Sequence, residues 1–173
     1  DSVAVIILIL VSLVIVFLVW FLFINVYKVV MVRMFMEGMR YEKIHTQRVF
    51  YLLKVRKWVQ ACLTMCVMRA YKLLWWFTIV GGLIKHYSYF MVPYIVAENP
   101  EIGANETITL SRKMMNGHKW ELFILDLSFL GWEILGAFTG WIVNILITRP
   151  YKETTMCEYY AMLRRIGKEK KIP

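Results

Sequence analysis

The sequence predicts an all-α fold: a polytopic bundle of transmembrane helices joined by short amphipathic segments. Three observations lead there. Hydrophobic residues make up 60% of the 173 positions and charged residues only 19%, whereas soluble domains average roughly half and one quarter. Residues 3–24 contain no charge and a single hydroxyl, Ser12, over a length that exceeds the ~20 residues needed to cross a bilayer core. Lysine and arginine gather between the apolar runs, as the positive-inside rule expects of cytoplasmic loops.

The first span is therefore placed at about 3–24. Cleavable signal sequences have shorter apolar cores, and neither a basic leader nor a small-residue cleavage site is present. A chain beginning at Asp1 rather than methionine is expected to be a fragment whose earlier span precedes it. Residues 28–57 carry eight Lys or Arg against Glu37 and Glu42, with Val32, Phe35, Met36 and Met39 at helical spacing. They read as an amphipathic segment lying partly in the cytoplasmic interface.

Residues 58–97 are too long for one crossing, since 40 residues of helix reach ~60 Å across a ~30 Å core. The chain must fold back, and Gly81-Gly82 is the expected turn because paired glycines accept positive φ. This gives spans at about 58–80 and 83–97, the latter kinked at Pro93 and stopped by Asn99-Pro100. A short amphipathic helix is expected within 102–117, with Glu106 in its first turn, Arg112 and Lys113 in its last, and Gly117 as terminator. The next apolar run gives a span at about 120–138. A hairpin turn near 139–141 then returns the chain through 142–163, which keeps the basic tail of Arg164, Arg165, Lys168, Lys170 and Lys171 on the cytoplasmic side. The whole of 1–173 is one transmembrane domain of about five spans.

Several function classes are disfavoured. The formal charge of +9 would suggest nucleic-acid binding in a soluble protein, but the basic residues sit in loops and no nucleic-acid-binding motif is spaced along the chain. Cys62, Cys66 and Cys157 form no CxxC pair, and His45, His86 and His118 are far apart, so neither metal nor cofactor is expected. Asn105-Glu106-Thr107 matches a glycosylation sequon, which carries no meaning on a cytoplasmic loop.

Two stretches carry a resemblance. One is Gly82-Leu83-Ile84-Lys85-His86-Tyr87-Ser88-Tyr89 followed by Tyr94-Ile95-Val96-Ala97-Glu98-Asn99-Pro100. The other runs from Leu110-Ser111-Arg112-Lys113-Met114-Met115-Asn116-Gly117-His118-Lys119-Trp120 into Asp126-Leu127-Ser128-Phe129 and Gly131-Trp132. Together they resemble the bacterial domain-of-unknown-function family numbered 975, itself distantly similar to the membrane domain of some glycerophosphodiester phosphodiesterases. The chain departs from that pattern at Val80-Gly81-Gly82, where the family has a proline before the glycine, and in the Arg149 that precedes Pro150. The resemblance implies a bundle of about six helices with both termini cytoplasmic. It implies no activity.

Charges within apolar spans are the informative residues, since each costs about 2.5–3.5 kcal/mol at mid-membrane unless paired or wet. They are Arg69, Lys72, Lys85, His86, Asp126, Glu133 and Arg149. Asp126 is expected to meet Arg149 or Arg69, and Glu133 to meet Lys85 or Lys72, as ion pairs that locate the helices. The cations outnumber the acids, and that surplus suits an anion, a phospholipid headgroup or a wet conduit. Arg112, Lys113, His118, Lys119 and Trp120 form an interfacial connector of the kind that contacts headgroups. Glu98, Glu101, His118 and Glu121 are not joined to a nucleophile at readable spacing, so no catalytic residue is assigned.

The expectation is a non-enzymatic multi-pass protein of the bacterial cytoplasmic membrane that acts through a protein partner or bound anionic lipid. The alternative is a small transporter or channel for an anionic or amphiphilic solute. The chain lacks the internal repeat of many carriers.

Overall fold

The computed structural model describes residues 2–40, 58–138 and 142–169, and these are helical throughout apart from short turns. The helices are α1 (Ser2–Arg40), α2 (Trp58–Trp76), α3 (Ile79–Ser88), α4 (Val92–Glu98), α5 (Ala104–Met114), α6 (Lys119–Phe138) and α7 (Arg149–Glu169), with a π-helical turn, Asn144–Thr148, leading into α7. Among the described residues, α1 alone is both long and apolar enough to cross a bilayer. α6 spans 20 residues but carries Lys119, Glu121, Asp126 and Glu133.

α1 does not end where the first span was expected to give way to a loop. It runs unbroken past Lys28 to Arg40, because Val29, Val32, Phe35 and Met36 continue an apolar stripe that packs on the rest of the chain. Its two halves differ: apolar side chains at 3–20 are exposed on every face, whereas Asn25, Val29 and Val32 are fully buried. The remainder of the expected segment at 41–57 lies outside the described residues, as do the expected turn at 139–141 and the tail residues Lys170 and Lys171.

The reversal between α2 and α3 falls at Phe77 and Thr78 rather than at the glycine pair. Gly81 and Gly82 sit inside the first turn of α3. Their use is close approach, since a Cβ on Gly82 would stand 3.1 Å from the carbonyl oxygen of Trp75. Gly117, at φ +88°, is the glycine that needs a left-handed backbone; α5 ends at Met114 with its cap at Met115, so Gly117 lies in the turn that follows rather than terminating the helix.

One kinked helix was expected over 83–97, and two are present. Tyr89 to Met91 form a turn, and Pro93 occupies the first turn of α4, where its missing N–H leaves no bond unmade. The seven-residue α4 is the centre of the core, with Val92 through Ala97 all buried. Around it pack α1, α2 and α5, and Tyr94 stacks on Tyr160 of α7 at 5.7 Å. Arg33 of α1 donates to the carbonyl oxygen of Ala97 at 3.0 Å, placing a cation where the end of α4 exposes carbonyls. Ser111 of α5 donates to the carbonyl of Ser88 at 2.8 Å, joining α5 to α3.

These contacts define two ends. Gln60, at the start of α2, donates to the carbonyl of Glu101 at 2.8 Å. Tyr159 donates to the carbonyl of His118, just before α6, at 3.1 Å. Both helices therefore begin near the end where Arg40, Glu98 and Arg164 meet, and both finish pointing away from it. Phe77 and Phe138 at those far tips are 88% and 85% exposed. The tie among Arg40, Glu98 and Arg164 thus lies at the near end and these two bare rings at the far end.

Candidate functional site

Two clusters of charge lie on the flanks of the bundle. The first joins α6 to α7. Lys152 donates to both Asp126 and Glu133, at 2.7 Å each, and its ammonium also stands 5.8 Å from the Phe129 ring between them. The seven-residue spacing of the two acids puts them on one face of α6, and one lysine from the antiparallel neighbour bridges them. The pairing differs from expectation in both halves: Asp126 meets neither Arg149 nor Arg69, and Glu133 meets neither Lys85 nor Lys72.

Hairpin register explains part of this. The midpoint between Asp126 and Glu133 lies about as far before Phe138, the end of α6, as Pro150 and Tyr151 lie after Ile142. Register alone therefore admits both Arg149 and Lys152. The intervening π turn breaks the tie, because each added residue rotates all that follows by about 100° around the axis. That turn precedes Pro150, which has no N–H to give to the preceding turn of helix. Arg149 comes to the exterior, while Lys152 faces α6. Asn144, buried in the same turn, donates to the carbonyl of Glu133 at 3.3 Å and lies against Gly136, where any Cβ would collide with its amide.

The second cluster is a cavity of about 770 Å³ between α2 and α3, lined by Arg69, Lys72, Leu73, Trp76, Gly82, Leu83, His86 and Tyr87. Three of the residues singled out from the sequence, Arg69, Lys72 and His86, thus share one site. Arg69 lies over the Phe21 ring at 5.1 Å. Lys72 feels Lys28 and Arg69 as its neighbouring charges, both of its own sign. None of the three side chains has a carboxylate within ion-pairing distance among the described residues. Asp126 is the acid whose field reaches His86, and it is engaged by Lys152. Lys85 is turned away and stands 4.6 Å from the Trp75 ring.

At the basic end a third arrangement holds elements together. Glu98 receives Tyr160 at 2.8 Å, Arg40 at 3.1 Å and Arg164, tying α1 and α7 to the end of α4. His118 meets Glu121 at 2.8 Å one turn on. Arg112, Lys113 and Trp120 are exposed, and Lys119 is half-buried. Cys62 and Cys157 are buried free thiols, and no group of three or more metal-ligating side chains converges among the described residues.

Sequence reasoning missed Lys152 as the bridging cation, although the spacing of the acids and the hairpin register were both visible. It also missed Glu98 as the acceptor shared by three donors, for which no local pattern exists. No curated protein and no solved structure matches the chain. The model of the family described as "Protein of unknown function (DUF975)" matches residues 2–166. With nearly the full length matched, the chain belongs to the DUF975 family.

Proposed function

We propose that this chain is a multi-pass, non-enzymatic membrane component that works through a bound anionic lipid or a protein partner. The observation that carries this reading is the division of the surface. Apolar side chains stand bare along the first half of α1 and at the far tips of the α2–α3 and α6–α7 pairs, while Arg40 and Arg164 meet on Glu98 at the opposite end. Water would penalise so much exposed apolar area at about 25 cal/mol per Å². Lipid removes that penalty, and anionic headgroups favour the basic end. On this reading the basic end is cytoplasmic and the tips are outside.

The non-enzymatic part rests on the sequence, where no nucleophile and base stand at a recognisable spacing. The transport alternative keeps one observation in its favour, the cations that line a cavity without acids to neutralise them.

Single-cysteine labelling tests the topology, with Cys62, Cys66 and Cys157 replaced by alanine. An impermeant reagent added outside intact cells is expected to modify Thr78→Cys and not Asn116→Cys. Equal labelling of both overturns the multi-pass reading, and the reverse pattern overturns the orientation proposed here. The functional class is tested by purification and reconstitution: a stoichiometric protein or a retained anionic lipid is expected. Saturable solute flux in liposomes, abolished by neutralising Arg69, would assign the chain to transport instead.

A further inference from the structure

The cavity between α2 and α3 combines two properties seldom found together. Its cations lack an internal counter-charge, and much of the rest of its wall is apolar. Arg69 and Lys72 lie three residues apart on α2, hence on one face, and His86 approaches them from α3. Leu73, Trp76 and Leu83 continue the wall towards the exposed tip, with Leu83 56% and Trp76 81% exposed. Exposed apolar side chains, Leu73, Trp76 and Leu83, therefore rim the cavity, and its ~770 Å³ falls within the ~300–1,000 Å³ of ordinary ligand sites.

Lys152 shows what this fold does with a cation that needs an internal partner: it supplies two carboxylates. For Lys72 it supplies Lys28 and Arg69, both of the same sign. Like charges held together in a medium of low dielectric repel strongly, and an anion between them turns that repulsion into attraction. Guanidinium and ammonium donors are suited to the oxygens of a phosphate, Arg as a planar fork and Lys as a point charge. The apolar wall would be wasted on an inorganic ion and suits a hydrocarbon chain.

We propose that this cavity binds the phosphate group of an anionic lipid against Arg69, Lys72 and His86, with an acyl chain lying along Leu73, Trp76 and Leu83. The assignment deepens the lipid half of the proposed function and rests on its membrane-spanning reading. Phosphate is the chemistry the cations recognise, and a free phosphate ion is the competing source of it.

Trp76 provides the reporter. The purified full chain is placed in phosphatidylcholine vesicles containing increasing amounts of phosphatidylglycerol, with bromines on the acyl chains of one lipid or the other. The Trp76 signal is taken as the difference from Trp76→Phe. Brominated phosphatidylglycerol is expected to quench Trp76 at about tenfold lower mole fraction than brominated phosphatidylcholine. Arg69→Gln and Lys72→Gln are each expected to lower that preference and the double variant to abolish it, so the singles still report if the double does not fold. Lys85→Gln removes the same charge outside the cavity and is expected to leave the preference intact.

Equal quenching by the two lipids overturns the site, as does an equal loss in Lys85→Gln, which would make the attraction diffuse. Suppression of the quenching by millimolar inorganic phosphate, without any preference between lipids, would assign the cavity to free phosphate and overturn the lipid assignment. If lipid preference is absent while Thr78→Cys and Asn116→Cys label on opposite sides, this site fails and the membrane reading stands. If the labelling fails, both fall.

Discussion

Lys152 and Lys72 are both partly buried lysines on helices that flank the core, and the chain treats them in opposite ways. Lys152 is held at 2.7 Å by each of two acids supplied by the facing helix, so its charge is consumed in joining α6 to α7. Lys72 stands with Arg69 and His86 on a cavity wall, with Lys28 of α1 as a further charge of its own sign, so its charge remains available. The difference separates a structural cation from a binding one without reference to any homologue. A buried charge met by its own chain contributes to the fold, and one left among like charges contributes only when something else arrives.

The contrast is most exposed to failure at Lys152. Lys152→Met leaves two carboxylates facing an apolar neighbour and is expected to lower stability by about 3 kcal/mol, read as the unfolding transition of the protein in phosphatidylcholine nanodiscs. Adding Asp126→Asn and Glu133→Gln should recover most of the loss, since the uncompensated charges go with the lysine. A triple variant as unstable as the single one would mean that Lys152 matters for its packing.

Glu98 offers the mirror case, one acid serving Arg40, Arg164 and Tyr160. Glu98→Gln retains an oxygen for Tyr160 but no charge for the arginines. A loss of about 2 kcal/mol is expected by the same measurement, with earlier proteolysis at the end of α1 as a second sign that Arg40 has been released. No change in either would remove Glu98 as the tie between α1 and α7.

A smaller effect is expected of Asp126→Leu, at about 1.5 kcal/mol, because Glu133 still neutralises Lys152. If Asp126→Leu costs as much as Lys152→Met, Glu133 is not sharing the charge. The smallest effect sharpens the contrast most. Lys72→Met should leave stability in phosphatidylcholine at or slightly above that of the wild type, because it relieves repulsion from Lys28 and Arg69. Substantial destabilisation would place Lys72 among the structural cations.

Much of this was legible along the chain. The apolar run at 3–24, the fold-back within 58–97 and a short amphipathic helix within 102–117 follow from length and composition, and helices lie over each of these stretches. The glycine pair was legible as special, but its purpose was not. A turn and a close approach both call for glycine, and only the position of Trp75 selects the second. Pro93 similarly marked a break, yet the burial of Val92 through Ala97 was needed to turn a kink into a separate central helix.

The seven ionisable residues within apolar runs could be found by inspection, since their cost in such surroundings is a property of each side chain alone. Their sorting into a bridged pair of acids and an unbridged group of cations could not. Partnership depends on rotation about the helix axis, and one π turn before Pro150 is enough to bring Lys152 to α6 and send Arg149 outward. By itself, the sequence determined which residues carry charge into apolar helices, because composition is local. The tertiary structure decided which of those charges are spent, because that depends on helix phases and crossings summed over residues distant in the chain.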